Sequence, residues 1–291
     1  GYKEQEKTLD VMMAPDGNET AQLTKLHTAA LEWSRTVSSS YTLQRDIIPM
    51  LTTTILKTLE YPKALTTFSA EMWTKIMSRP LMVCLPKAGV CRSFPRSVVY
   101  APLRFQGLGI PHPFATQVST HLETLLRHGT NLTNTGTYLT AALEAHQLEI
   151  GLPIGLFQQQ FQNTGILTTD SWLKKLWQEM ESLNIHLAYH GSDLTIRRDG
   201  DSFLTQLFID DEVDQQDLLW LNWCRQYLHA VTLSDLVTAD GKRLTSFAWN
   251  GERDPSWTSP YNWPRVARPS AQRWDLWRTT LHRLLLRPQS N

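Results

Sequence analysis

The sequence predicts a mainly α fold: a helical first part, then a second helical part that carries small β-hairpins. Three observations predict it. Apolar residues recur at helical spacing through most of the chain, strand-like alternation is confined to short runs beside turn residues, and prolines or glycines stop the long periodic stretches. Hydrophobic residues make up 41% and charged residues 19% of the 291 residues. That apolar content is enough for packed cores and excludes a disordered chain.

Leu9, Val11 and Met13 alternate along residues 8–13 and run into Ala14-Pro15-Asp16-Gly17, so a strand entering a tight turn is expected. Leu23, Leu26, Ala30, Trp33 and Val37 mark one helix. Leu43, Ile47, Leu51, Ile55 and Leu59 mark a second, stopped by Tyr61-Pro62, and the two make an antiparallel pair. Ser69 can cap a third helix through Trp73, Ile76 and Met77 that ends near Pro80, because proline has no N–H to continue the ladder. Residues 80–113 are rich in Pro and Gly, and a connection that long is usually functional.

Val118, Leu122 and Leu125 predict a helix closed by Gly129; Tyr138, Ala142, Ala145 and Leu148 predict one closed by Gly151. Asp170 or Ser171 caps an amphipathic helix with Trp172, Leu176, Trp177, Met180 and Leu183. Ile185, Leu187 and Tyr189, then Leu194 and Ile196, alternate on either side of His190-Gly191-Ser192 and predict a small hairpin; Asp240-Gly241 offers a second turn. Leu218, Leu221, Arg225 and Leu228 lie on a further helix. The last helix starts near Ser270 with Trp274, Trp277, Leu281 and Leu284 on one side. These elements group as residues 1–113, a helical connection over 114–184, and an α-rich C-terminal part over 185–291.

Lys plus Arg equals Asp plus Glu at 28 each, which removes whole-chain basicity as an argument for nucleic-acid binding and leaves local patches. Lys75, Arg79, Lys87, Arg92, Arg96, Arg104 and Arg127 meet few acids along the sequence, Asp201, Asp210, Asp211, Glu212, Asp214 and Asp217 crowd a later stretch, and arginines from Arg265 to Arg287 make the tail basic. Cys84, Cys91 and Cys224 are too few for a disulfide framework, so an intracellular site, nucleus or cytoplasm, is expected. No segment approaches the roughly 18 unbroken apolar residues of a membrane helix. Gly1 stands where a start methionine would, so a longer parent chain is expected.

Phe208-Ile209-Asp210-Asp211 matches the aromatic-x-Asp-Asp pattern with which polymerases hold magnesium. Here Asp201 can cap a short helix through Phe203, Leu204, Leu207 and Phe208, which leaves both acids at a solvated helix end without the third carboxylate that two-metal chemistry needs. Gly107-Leu108-Gly109 lacks the third glycine of a dinucleotide fingerprint, and Cys84, Cys91, His112 and His121 are too widely spaced for a zinc knuckle. No nucleophile motif is present, so no catalytic or metal-binding residue is assigned. Trp257, Trp263, Trp274 and Trp277 interleave with Arg265, Arg268 and Arg278, a pattern that can stack on bases, although helical spacing favours core packing for Trp274 and Trp277. The basic run from Lys75 to Arg104 can track a phosphate backbone or be a solvated face.

Leu9-Asp10-Val11 with Ala14-Pro15-Asp16-Gly17-Asn18, Leu59-Glu60-Tyr61-Pro62, Leu85-Pro86-Lys87, Phe94-Pro95-Arg96, Tyr100-Ala101-Pro102 and Gly107-Leu108-Gly109-Ile110-Pro111 follow one another in this order. Taken together they resemble the segment downstream of the palm in reverse transcriptases of non-LTR retroelements. The resemblance covers roughly the first 115 residues. Leu221-Asn222-Trp223-Cys224-Arg225, Thr232-Leu233-Ser234-Asp235 and Trp263-Pro264-Arg265 look like the continuation found in reverse-transcriptase-like reading frames of protists such as diatoms.

The resemblance implies a primer-grip hairpin over residues 8–18, a thumb-like helical domain to residue 113, and an RNA-directed DNA polymerase as the parent protein. Its palm and magnesium ions would lie upstream, so this chain would lack the catalytic centre, require no cofactor of its own, and hold an RNA–DNA or DNA duplex. Lys87, Arg92, Arg96 and Arg104 are then the expected phosphate contacts. Asp10 stands where the family has glycine, and Gln106 where the first of two glycines is expected, which leaves open an inactive copy or a host gene with another use. The competing class is a helical protein-interaction or structural module that docks through its Trp-rich helices without a nucleic-acid role.

Overall fold

The computed structural model describes residues 6–8, 11–14, 17–129, 131–189, 193–196, 198–256 and 258–286. Among the described residues helix takes 60% and strand 3%, so the fold is mainly α, as the periodicity predicts. The chain divides into two compact units, Gly1–Leu126 and Arg127–Asn291.

Unit 1 opens with β1 (Glu6–Thr8) paired antiparallel to β2 (Val11–Met13), Thr8 opposite Val11 and Glu6 opposite Met13. The one strand expected over residues 8–13 is therefore two short ones, joined through Leu9 and Asp10, which lie outside the described residues, as do Pro15 and Asp16 of the next turn. Gly17, at φ 72°, closes that turn on the Ala14 carbonyl at 3.0 Å. Val11 is buried, and buried Gln22 accepts the Met12 N–H at 2.8 Å, which ties the hairpin to α1 (Thr20–Ser39).

The second predicted helix forms as two, α2 (Ile47–Thr53) and α3 (Ile55–Glu60). The break has a local cause: the Thr52 and Thr53 hydroxyls bond back to the Pro49 carbonyl at 2.8 and 2.9 Å, and Thr54 to that of Met50 at 2.5 Å. Hydroxyls competing for ladder acceptors weaken and bend a helix. A 3-10 turn, Tyr61–Ala64, follows.

α4 (Ala70–Lys87) begins where predicted, with Ser69 Oγ accepting the Met72 N–H at 3.3 Å, but it does not stop at Pro80 and runs on through Pro86. Trp73, Ile76, Met77, Leu81, Cys84 and Leu85 form one buried stripe across the proline. Each such side chain stabilises by about 1.5–3 kcal/mol, so the stripe outweighs the roughly 3 kcal/mol that an interior proline costs. α4 packs on α1. Its Trp73 Nε1 donates to Gln117 of α6 (Pro113–His128) at 2.9 Å, and the Gln117 amide donates to the Phe68 carbonyl at 2.9 Å. Between α4 and α6 the connector holds α5 (Arg96–Tyr100) and a 3-10 turn, Leu103–Phe105.

Unit 2 comprises α7 (Asn134–Ile150), α8 (Phe161–Thr164), α9 (Trp172–Ser182), α10 (Leu204–Asp210), α11 (Gln215–Leu228), α12 (Ser246–Asn250) and α13 (Ala271–Leu286). Ser171, one of the two caps considered, accepts the Lys174 N–H at 3.0 Å and starts α9. α10 starts at Phe203 without a side-chain cap; Asp201 instead accepts the Ser202 and Ser234 N–H groups. Trp274, Trp277 and Leu281 of α13 pack with Phe208, Leu221 and Cys224 in a single core, so the two tryptophans are core residues as their spacing favours.

A buried guanidinium closes unit 2. Arg225 of α11 donates to the Leu148 and Glu149 carbonyls at the end of α7 (2.5 and 2.9 Å), to the Ala230 carbonyl (3.1 Å) and twice to Asn222 Oδ1. It thereby satisfies helix-end acceptors that have no ladder partner. Of the predicted hairpins, the turn at His190-Gly191-Ser192 lies outside the described residues, and residues 185–189 and 193–196 carry no strand. The Asp240-Gly241 turn forms, with Gly241 at φ 70°, but is held by the single antiparallel bridge Val237–Leu244. Among the described residues no helix is long and apolar enough to cross a membrane.

Candidate nucleic-acid interface

The four cations singled out in the connector take up different positions. Lys87, in the last turn of α4, donates from Nζ to the Ser40 carbonyl at 2.7 Å, where it caps the end of α1 and meets its negative dipole. Arg92 is exposed on the turn after α4. Arg96 opens α5 and lines a cleft of about 340 Å³ along one flank of α4, opposite Trp73 and Ser78 and beside Tyr100 and His112. Arg104 lies over the Phe105 ring at 4.8 Å from its centroid.

The cations that share a groove lie on α4 itself. Lys75 and Arg79, one helical turn apart, line a trough of about 490 Å³ with His27, Thr24 and Leu23 of α1. Thr74 and Ser78 border both this trough and the Arg96 cleft, so α4 separates two neighbouring basic recesses. Among the described residues no carboxylate pairs with Lys75, Arg79, Arg92 or Arg96. In the Arg96 cleft, burial first and the Lys63 charge second push His112 below the ordinary imidazole range, so it adds a hydrogen-bonding group and no charge at neutral pH. Lys63 is 4% exposed, with its Nζ on Thr116 Oγ1 at 2.8 Å and 5.7 Å from the Trp73 ring centroid. It is a packed cation, held below the ordinary lysine range by burial.

The connector loop is a fixed protrusion. Gly107 N–H bonds the Pro102 carbonyl, Leu108 N–H that of Val98 and Gly109 N–H that of Ala101, at 3.2, 3.1 and 2.9 Å. A Cβ on Gly107 would lie 2.0 Å from the Ala101 carbonyl oxygen, so glycine is required there. Gln106, at φ 60°, occupies a left-handed position that favours glycine, so a side chain there is strained. The folded loop leaves Leu103 75% and Phe105 66% exposed on either side of Arg104.

The competing chemistries resolve into structure. Asp211 ends α10 with its side chain 1% exposed and ion-paired to Arg283 of α13, while Asp210 accepts from Gln206 at 2.8 Å. The pair thus closes a helix, and Asp211 is buried where a solvated position is expected. Among the described residues no group of His, Cys, Asp and Glu could hold a metal ion. Burial pushes the Cys84 and Cys224 thiols up to about 12, which makes them inert at neutral pH. His146 Nδ1 donates to Glu149 at 2.8 Å and its Nε2 meets Ser171 Oγ at 2.6 Å, a serine–histidine–carboxylate order that sequence reading missed because the serine lies 25 residues away. Ser171 Oγ is occupied as the α9 cap, and these contacts join α7 to α9.

Comparison of the chain with protein-family models, with curated proteins and with solved structures finds no match.

Proposed function

We propose that unit 1 holds a nucleic-acid duplex without reading its sequence, as the thumb of a reverse transcriptase holds the template–primer for a palm supplied by other sequence. The observation that carries this reading is the α4 strip: Lys75 and Arg79 in the α1 trough, without a carboxylate partner among the described residues, with Arg96 across the helix and the Thr74 and Ser78 hydroxyls between. Cations and hydroxyls on a rigid helix suit phosphate oxygens, which position a duplex and carry no base identity. The resemblance of residues 8–113 to the thumb region supplies the polymerase context, and the magnesium chemistry of that context belongs to the palm.

Binding of a labelled RNA–DNA duplex, titrated with salt, tests the reading. Replacing Lys75, Arg79 and Arg96 together by alanine is expected to weaken binding and to lower the slope of log K against log salt by about one per lost phosphate contact, up to about three in all. Lys87→Ala is expected to act through stability instead, because its ammonium caps α1. Duplex affinity and slope unchanged in the triple variant would sink the proposal. One observation favours the protein-docking alternative, the outward Leu103 and Phe105; it predicts that Leu103→Ser with Phe105→Ser abolishes a protein complex while the α4 variants leave it intact.

A further inference from the structure

Unit 2 carries a cleft of about 430 Å³ that the duplex reading does not use. Two indoles of α11, Trp220 and Trp223, stand one turn apart on its wall. Arg273, from the first turn of α13, reaches both: its guanidinium carbon lies 4.0 Å from the Trp223 ring centroid and 5.5 Å from that of Trp220. Trp223 Nε1 donates to the Ala267 carbonyl at 2.8 Å, which fixes that ring and the extended segment beside it. The same segment places Arg265 at the rim, exposed and without a carboxylate partner among the described residues.

The charge these walls present is positive. Glu149 is the acid among the lining residues, and both its oxygens are occupied: one meets His146 Nδ1 (2.8 Å) and the Thr169 N–H (3.0 Å), the other the Thr169 hydroxyl (2.8 Å). Burial raises this carboxyl, but the His146 and Thr169 hydrogen bonds outweigh it and hold it below the usual carboxylate range. What remains open is an apolar, aromatic recess lined by Arg273, which lies against both indoles, and by the exposed Arg265.

We propose that this cleft binds single-stranded nucleic acid, an unpaired base lying against the Trp220–Trp223 wall and its phosphates on Arg265 and Arg273. A base face is available for such stacking only when the strand is unpaired, and stacking on fixed aromatics beside cations is how single strands are held without sequence preference. A proline-rich peptide also suits aromatic grooves, but it would leave two guanidinium groups unanswered, and charge complementarity selects the polyanion. The assignment goes beyond the duplex reading, concerns the other unit, and stands if that reading falls.

Fluorescence anisotropy of a short labelled oligothymidylate with the full chain tests it. Arg265→Glu, an exposed position that leaves folding intact, and Trp223→Leu, checked by circular dichroism, are each expected to weaken oligothymidylate binding by about tenfold or more. Lys75→Glu with Arg79→Glu is expected to leave oligothymidylate binding unchanged while weakening duplex binding. Any of three results would overturn the proposal: no oligothymidylate binding by the parent chain, binding indifferent to Arg265→Glu, or binding lost with the α4 variants. So would a proline-rich peptide that binds through the same residues while oligothymidylate does not.

Discussion

His229 closes α11 in the left-handed conformation, φ 59°, and stacks on Trp263 with 5.2 Å between ring centroids and 5° between planes. Burial first and the neighbouring Arg253 second push its pKa down to about 4 from the ordinary 6.5. Between those values the unfolded chain takes up a proton that the folded chain refuses, so this residue's contribution to stability is complete above about pH 6.5 and is lost as pH falls toward 4. His229→Asn tolerates the left-handed backbone and removes the titration. Its melting temperature is expected to fall less steeply than the parent's between pH 6.5 and pH 4; parallel curves would remove His229 as the source. At this scale the sequence shows residue types but not their partners. Lys87 looks like its connector neighbours until Ser40, 47 positions earlier, takes its ammonium, and Asp211 looks solvated until Arg283 covers it.

The junction of α7 and α11 shows how one backbone position constrains two helices. Gly151 ends α7 at φ 68°, and a Cβ there would lie 2.5 Å from the Arg225 guanidinium carbon, a group fixed by hydrogen bonds on every side. Gly200, at φ 76° with open space around it, is the natural control. Gly200→Ala is expected to cost about 1 kcal/mol for the left-handed backbone alone, whereas Gly151→Ala adds the clash and is expected to cost at least about 3 kcal/mol. Urea denaturation midpoints decide, and equal losses would mean that Arg225 can move aside. Elements whose apolar residues recur at helical spacing were legible in the sequence: α1, α6, α7, α9, α11 and α13 lie where the periodicity puts them. The rest depended on competition between local effects. Threonine hydroxyls split the second helix at Thr54, whereas at Pro80 the buried stripe prevailed over the proline that was expected to end α4.

Each unit has its own core: Trp73 with Phe68, Ile76 and Leu85 in the first, Trp277 with Phe208, Leu221 and Leu281 in the second. Trp73→Ala and Trp277→Ala each remove a side chain whose loss typically costs about 3–5 kcal/mol. In calorimetry they are expected to lower two different transitions. A single transition shifted equally by both would mean that the units unfold as one. Net charge, zero over the whole chain, hides what matters at this scale, because the acids that balance the α4 cations are spent elsewhere, Glu149 on His146 and Thr169 and Asp211 on Arg283. The uneven charge was visible in the sequence, and so was the basic run that contains Lys75 and Arg79. Which of its cations converge was not, because that depends on α4 lying along α1 and on where the connector returns Arg96 to the flank of α4.

The proline at 80 bears on when the basic strip can form. An isolated peptide of residues 70–87 would be a coil in water, since helices of such length are marginal even without a proline in the middle. The basic strip therefore exists only once α1 has docked against it. A nascent chain leaving the ribosome completes this strip late, after the glutamine at 117 that anchors Trp73 has also been synthesised.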